Sequence, residues 1–336
     1  MRNGIAVFGT IVHDLNKKID RFVERNGLVR CLESASSMGG LSGNCGRDLA
    51  ALSPDMPVTV YGMIGTDAAG DEMLERFRVY PNIDLSHVGR KGLTSFTDVL
   101  HEEVSKVRSF IFFPGANEYL DIGLAGDGIA ADMVHCGYIL AADALDREDA
   151  EYGTRMARLL HLLQEQGRFT SFDVVSEASD RYRDKVRPCL PYADCVFLNE
   201  IEAGRTVGTE LRDGEGTLRT DAVRAALRRL KELGAKRYAV IHAPEGAWAL
   251  DIPADREYHA PGAILPEGFI AGTVGAGDAF SSGVLTGIYR GHGLDEALED
   301  GIAAATMSLR SETPSDAVGT LEEARALLDT LPRRTK

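Results

Sequence analysis

The sequence predicts an α/β fold: a mostly parallel sheet covered by helices on both faces, with one small extra sheet. Three observations carry this expectation. Short apolar runs bounded by polar turns recur along the chain, as buried strands do. Helical patterns separate most of them, which implies parallel strands joined by crossover helices. Two segments break the rhythm by alternating without an intervening helix. The chain has 336 residues, 44% of them hydrophobic, enough for a sizeable core.

The expected strands, in order, are IAVFGTI (5–11), VTVYGMI (58–64), MVHCGYIL (133–140), FTSFDVV (169–175), DCVFLN (194–199) and RYAVIHA (237–243). The spacing predicts a helix over 147–167, with Met156, Leu159, Leu160 and Leu163 on one face and Gly167 as its stop. A second helix is expected over 220–234, from Thr220 as cap to Gly234. The two rhythm-breaking segments are 17–35 and 94–113. The first contains the turn signal RNG, and EEVSKV supplies a turn for the second. Both read as antiparallel excursions that either form one small sheet or remain ordinary edge hairpins. No repeat or low-complexity tract interrupts a single domain over 1–336, and the tail PRRTK reads as a frayed end.

The 37 basic and 51 acidic residues give a net charge of −14, which argues against nonspecific nucleic-acid binding. It leaves room for a local phosphate site. No run of 18 apolar residues predicts a membrane span, and the N-terminus turns polar after Val12, too early for a signal peptide. Five scattered cysteines with no CxxC pair read as thiols in a reducing cytoplasm, with Cys45 packing and not reacting.

AGTVGAGDAFSSGVLTGI (271–288) is the most informative stretch. It lacks the P-loop pattern. It also fails the dinucleotide fingerprint, since Phe280 stands where a third glycine belongs. Gly283 and Gly287, one turn apart, suit close helix packing. Gly275, Ala276 and Gly277 at a helix entrance suit an anion held by backbone N–H groups. Asp278 beside them has two readings: a dipole-compensating acid, or a base. Phosphoryl transfer favours the second, because it needs donors on the transferred oxygens and a base on the attacking hydroxyl.

GTVGAGDAF resembles the D-T-x-G-A-G-D signature of the ribokinase-like (PfkB) carbohydrate kinases. Further elements agree in order along nearly the whole chain. GTIVHD (9–14) resembles the family's first strand and sugar-binding acid, which falls on Asp14. GGLSGNCGRDLAAL resembles the N-terminal signature, with Gly39, Gly40 and Asn44 matching. GMIGTDAAGDEML matches at Gly65, Asp67 and Gly70. FFPGAN resembles the end of the lid strand, and NEIE (199–202) matches N-x-x-E.

The resemblance implies a ribokinase-like three-layer sandwich with a small β-sheet lid from insertions at about 15–37 and 91–116. It implies ATP as donor, Mg²⁺ organised through water by Asn199 and Glu202, and an anion hole at 275–278 with Asp278 as base. It assigns the sugar to Asp14, Gly39, Gly40, Asn44 and Asn117, and the nucleotide to Asn199, Thr273, Gly246 and His242. Ordinary structural roles stand beside these: capping for Asn44, Asn199 and Glu202, turn-shaping for Asn117, a strand-end hydrogen bond for His242. Arg108 reads as a substrate contact or a solvated lid residue, and Asp173 as a phosphate neighbour or a strand-end carboxylate. The chain departs from the family at three points. Gly272 replaces the leading acid that helps hold a monovalent cation, which makes K⁺ activation doubtful. Gly46 stands at the usual small position after Asn44. His242 and Ala243 replace the usual small residue and glycine of the nucleotide strand.

The expected activity is ATP-dependent phosphorylation of a hydroxyl of a small sugar or sugar derivative. A nucleoside acceptor is the alternative within kinases, with Phe96, Phe110 and Phe112 available for a base. A non-catalytic sugar or nucleotide sensor is the alternative outside them. A homodimer through the lid would cover its exposed edges.

Overall fold

The computed structural model describes residues 3–104 and 107–334. All six expected strands form and lie in one ten-stranded sheet. Ile5–Gly9 is central, with Val58–Ile64 on one side and Met133–Ile139 on the other, both parallel to it. The parallel run continues outward through Phe169–Val174, Cys195–Asn199 and Tyr238–Ala243. Two antiparallel strands, Gly246–Asp251 and Arg256–Pro261, then extend that edge. On one face the apolar sides of helices Arg155–Glu165 and Thr220–Glu232 meet the sheet. On the other, Leu41–Leu52, Ala68–Arg78, Ala276–Arg290, Leu294–Ser308 and Leu321–Asp329 do so. The strands are buried on both faces, which explains their near-continuous apolar sequences.

The two rhythm-breaking segments join one separate sheet, ordered Cys31–Gly39, Val12–Ile19, Phe96–Glu102, Arg108–Phe113. Its outer pairs are antiparallel and its middle pair parallel, because two separate excursions meet side by side. Glu102 N–H bonds Val107 O across the second connection. Ser105 and Lys106 of the expected EEVSKV turn lie outside the described residues. Asp67 ties this sheet to the body: it caps Ala68–Arg78 through Gly70 N–H and also accepts from Thr94 N–H at 3.0 Å. Gly65 is needed there, since a Cβ would stand 2.2 Å from Thr94 N.

Three local expectations are corrected. The helix expected from 147 starts at Arg155, because Thr154 caps it by accepting from Ala157 N–H. Residues before it form a short antiparallel pair, Glu148–Asp149 with Gly153–Thr154. Thr220 is a helical residue; Arg219 occupies the cap position without a side-chain bond. The tail is anchored through Arg334: Arg333 donates to Pro261 O and pairs with Glu299, and Arg334 N–H bonds Gly262 O. Thr335 and Lys336 lie outside the described residues.

Gly283 and Gly287 allow Ala276–Arg290 to pack tightly on Leu294–Ser308. A Cβ at Gly283 would stand 2.5 Å from Asp300 O, and one at Gly287 2.4 Å from Asp300 Oδ2. The helix bearing Asp278 is thereby fixed against its neighbour.

Candidate active site

Helix Ala276–Arg290 begins after Gly275, whose φ of 82° suits glycine. No side chain caps this end. The first intrahelical bond is Ala279 N–H to Gly275 O, so the N–H groups of Ala276, Gly277 and Asp278 precede the helical ladder. They form a donor cradle with the positive end of the helix dipole behind it. Of these, Ala276 N–H also makes a long bond to Thr273 O at 3.5 Å.

The Asp278 carboxylate is held by three side chains. Tyr138 OH donates to Oδ1 at 2.5 Å, and Asn44 Nδ2 donates to Oδ2 at 2.8 Å. The Cys45 thiol lies 3.6 Å from Oδ1. Burial pushes Asp278 up to about 6, against which the bonds from Tyr138, Asn44 and Cys45 favour its ionised form. A carboxylate with this affinity for protons is ionised at neutral pH and still basic enough to accept one. Removing the phenol in Tyr138→Phe is expected to raise the Asp278 pKa. The acid limb of the kcat–pH profile should move to higher pH by about one unit, the worth of one charge-assisted hydrogen bond. An unmoved limb in a full pH–rate series would refute this role.

Asp14 sits on the lid strand Val12–Ile19, not at the end of the first strand. Its carboxylate lies against Gly39, where a Cβ would come within 2.2 Å of Oδ2. Gly40, at φ 81°, starts helix Leu41–Leu52, and a Cβ there would meet Thr10 O at 2.5 Å. Burial pushes Asp14 up to about 7; a bond from Thr97 opposes this and the charge of Asp278 adds to it. The fold thus brings Asp14, Gly39, Gly40, Asn44 and Asp278 together.

Several expected roles change. Asn44 is not a cap, because Gly40 holds that position and Asn44 lies within the helix. The Asn117 side chain is engaged by backbone. It is 2% exposed; its Oδ1 accepts from Ile11 N–H, and its Nδ2 donates to Ile11 O. It fixes the turn between the first strand and the lid.

On the other side of the cradle a large cavity is lined by Asn199, His242, Trp248, Thr273, Gly277 and Phe280, among others. His242 packs on Phe280, ring centroids 4.8 Å apart, and a Cβ on Gly277 would stand 3.4 Å from its Cε1. Burial lowers His242 to about 4, so it is neutral beside the cradle. Gly246 does not line this cavity; it shapes the adjoining hairpin, where a Cβ would meet Ala260 O at 2.6 Å.

Asn199 and Glu202 form a full capping box on helix Glu200–Val207, and Ser176 bonds both side chains. Their capping role is therefore real. Glu202 is pushed up to about 7, chiefly by burial. Asp173 is raised well above the carboxylate range, first by burial and then by the charges of Glu202 and Asp278. Among the described residues no three potential ligands converge at metal-binding spacing. These residues therefore form no direct protein cage; a Mg²⁺ that keeps its waters would need only one or two of their oxygens.

Sequence reasoning missed Tyr138 and underrated Cys45. Tyr138 stands near the carboxyl end of a predicted strand, where α/β sheets place ligands; that position was the available signal. Cys45 packs, as expected, but its thiol also faces the Asp278 carboxylate. Burial raises it well above its ordinary value, so it remains a protonated weak donor.

The chain matches the model of the pfkB family carbohydrate kinases over residues 2–320. It is 24% identical over 302 residues to a 5-dehydro-2-deoxygluconokinase of Clostridium perfringens, covering 87% of this chain and 83% of that one. A 5-dehydro-2-deoxygluconokinase of Shouchella clausii is 40% identical over 57 residues, 17% of this chain and 18% of that one. The match to the Shouchella clausii protein thus spans less than a fifth of its length. In fold, the chain is similar to the ribokinase of Arabidopsis thaliana complexed with ribose and ATP. The TM-score is 0.77 at 18% identity, covering 98% of this chain and 99% of that one. No helix among the described residues is long and apolar enough to cross a membrane. A matching family model over nearly the full length, a sheet-and-lid fold shared with ribokinase, and a glycine cradle bearing a buried acid converge: this chain belongs to the pfkB family of carbohydrate kinases.

Proposed function

We propose that the protein transfers the γ-phosphoryl group of ATP to a hydroxyl of a small sugar or sugar acid. The observation that carries this reading is Asp278, a buried carboxylate held by Asn44 and Tyr138 at the edge of an uncapped helix entrance. Asp278 takes the proton of the attacking hydroxyl, and the N–H groups of 276–278 stabilise the phosphoryl oxygens. Asp14 accepts from two acceptor hydroxyls, beside the close backbone of Gly39 and Gly40. Asn44 Oδ1, which has no protein donor, accepts from a third. The cavity beside Thr273 and His242 takes the nucleotide. Mg²⁺, when bound, screens the phosphate charge; Asn199 and Glu202 orient its waters. Closure of the lid excludes water.

The name of the Clostridium relative makes 5-dehydro-2-deoxygluconate the first acceptor to try. A panel of that compound, ribose, other sugars, adenosine and inosine, scored by ADP release with and without K⁺, tests the reading. Turnover of a sugar or sugar acid supports it, and turnover confined to nucleosides replaces the acceptor class. Ligand-induced thermal shifts without ADP release from any compound would favour a sensor.

The lid also supports a homodimer. Phe110 is 59% exposed, Ile111 58% and Phe112 45%, on an edge strand with nothing covering it in one copy. Sedimentation should return twice the mass of the chain, and Phe110→Glu should return one. The cysteines are all free, which supports the proposed cytoplasmic setting.

A further inference from the structure

We propose that Arg47 is a positioning residue for the phosphoryl cradle. The proposal rests on the kinase reading above and names a device within that site. Arg47 lies one turn beyond Asn44 on helix Leu41–Leu52, so one helical face carries both. Asn44 binds the base. Arg47, its side chain 6% exposed, reaches the segment after helix Leu294–Ser308 instead. Its Nη2 donates to Asp316 Oδ1, and its Nη1 approaches Pro314 O at 3.5 Å. Asp316 Oδ2 accepts from Thr313 Oγ1 at 2.5 Å, and Ser315 Oγ approaches Asn44 O at 3.4 Å.

That segment backs the cradle. A Cβ on Gly275 would stand 2.8 Å from Pro314 Cβ, and one on Gly272 2.6 Å from Ser311 O. The loop leading into the cradle therefore rests on a strip of backbone held by the Arg47 guanidinium. One helix thereby fixes the base through Asn44 and Cys45, and fixes the backing of the donors through Arg47. The separation of base and cradle is set by this shared support. In-line transfer is sensitive to it, since a displacement of about 1 Å in a reacting geometry costs roughly 10²-fold.

An ion pair serving stability alone, here a buried guanidinium with a half-exposed carboxylate, would lower stability when broken and leave kcat untouched in the folded fraction. The experiment separates the two. Arg47→Met, the double variant Arg47→Met with Asp316→Asn, and Arg47→Lys are compared with the wild type for kcat, acceptor KM, thermal midpoint and amide exchange. The double variant removes both charges, so it keeps the test open if Arg47→Met fails to fold. Expected for Arg47→Met and the double variant is a kcat loss of about tenfold or more, with acceptor KM within about twofold. Amide exchange should quicken at 272–279 while helix Arg155–Glu165 keeps its protection. Arg47→Lys should recover part of kcat. A kcat within about twofold of wild type, or exchange that rises uniformly across the chain, overturns the proposal. If the wild type turns over no acceptor, the kinase reading falls by itself. Exchange at 272–279 then decides the positioning claim: quickening sustains it and no change sinks it.

Discussion

An Asp278→Asn variant is expected to bind ATP as the wild type does and to lose kcat by about 10²–10⁴-fold, the usual worth of a positioned general base. The carboxylate makes no bond to the nucleotide cavity; its partners are Tyr138, Asn44 and Cys45. The cradle uses backbone N–H groups, which an amide side chain leaves in place. The proton acceptor is lost, and the new amide NH2 can no longer accept from whichever of Tyr138 and Asn44 it faces. Calorimetric ATP binding and ADP release at saturating acceptor measure the two effects separately, and a variant within tenfold of wild type would exclude Asp278 as base. The same carboxylate sets a pH limb. Its pKa is raised to about 6, so the ionised, active form prevails above that pH and activity falls as pH drops through it.

Asp14→Asn is expected to lower kcat/KM for the acceptor by about 10²-fold, two charge-assisted hydrogen bonds at roughly 1.5 kcal/mol each, with ATP affinity unchanged. Gly39 leaves the Asp14 carboxylate in tight contact with backbone, and Gly40 turns the chain directly below it. Asp14 is raised to about 7 by burial, with the Asp278 charge adding to that. Hydroxyls donating to it favour its ionised form, so acceptor binding should release protons near pH 7 and weaken as pH falls below it. Calorimetry in buffers of different ionisation enthalpy measures that release; none at pH 7 would remove Asp14 from the acceptor site.

Much of the fold is legible in the sequence because a parallel sheet buries its strands on both faces. Runs such as VTVYGMI and CVFLN stand out as near-continuous apolar stretches. The hairpin Gly246–Asp251 and Arg256–Pro261 is harder to read: its first strand follows a turn read only as a nucleotide contact, and its second is half polar at an edge. Helix starts misled where caps decide. Thr154 and Thr220 are equally plausible starts by type, but only Thr154 accepts the N3 amide.

The sequence by itself determined the glycine cradle with its acid, the glycine pair and asparagine at 39–44, and the two excursions from the main sheet. Each is a local pattern whose residue types are restricted by backbone conformation or by chemistry. The tertiary structure decided which side chains reach Asp278. Tyr138 lies 140 positions from Asp278, Asn44 lies 234 away and Cys45 233 away, so no window of sequence contains the contact. It also set the Asn117 amide against the backbone of Ile11, and brought Arg47, on the helix of Asn44, to the segment that backs Gly275. Periodicity tells a residue which face it occupies; only packing says what stands opposite.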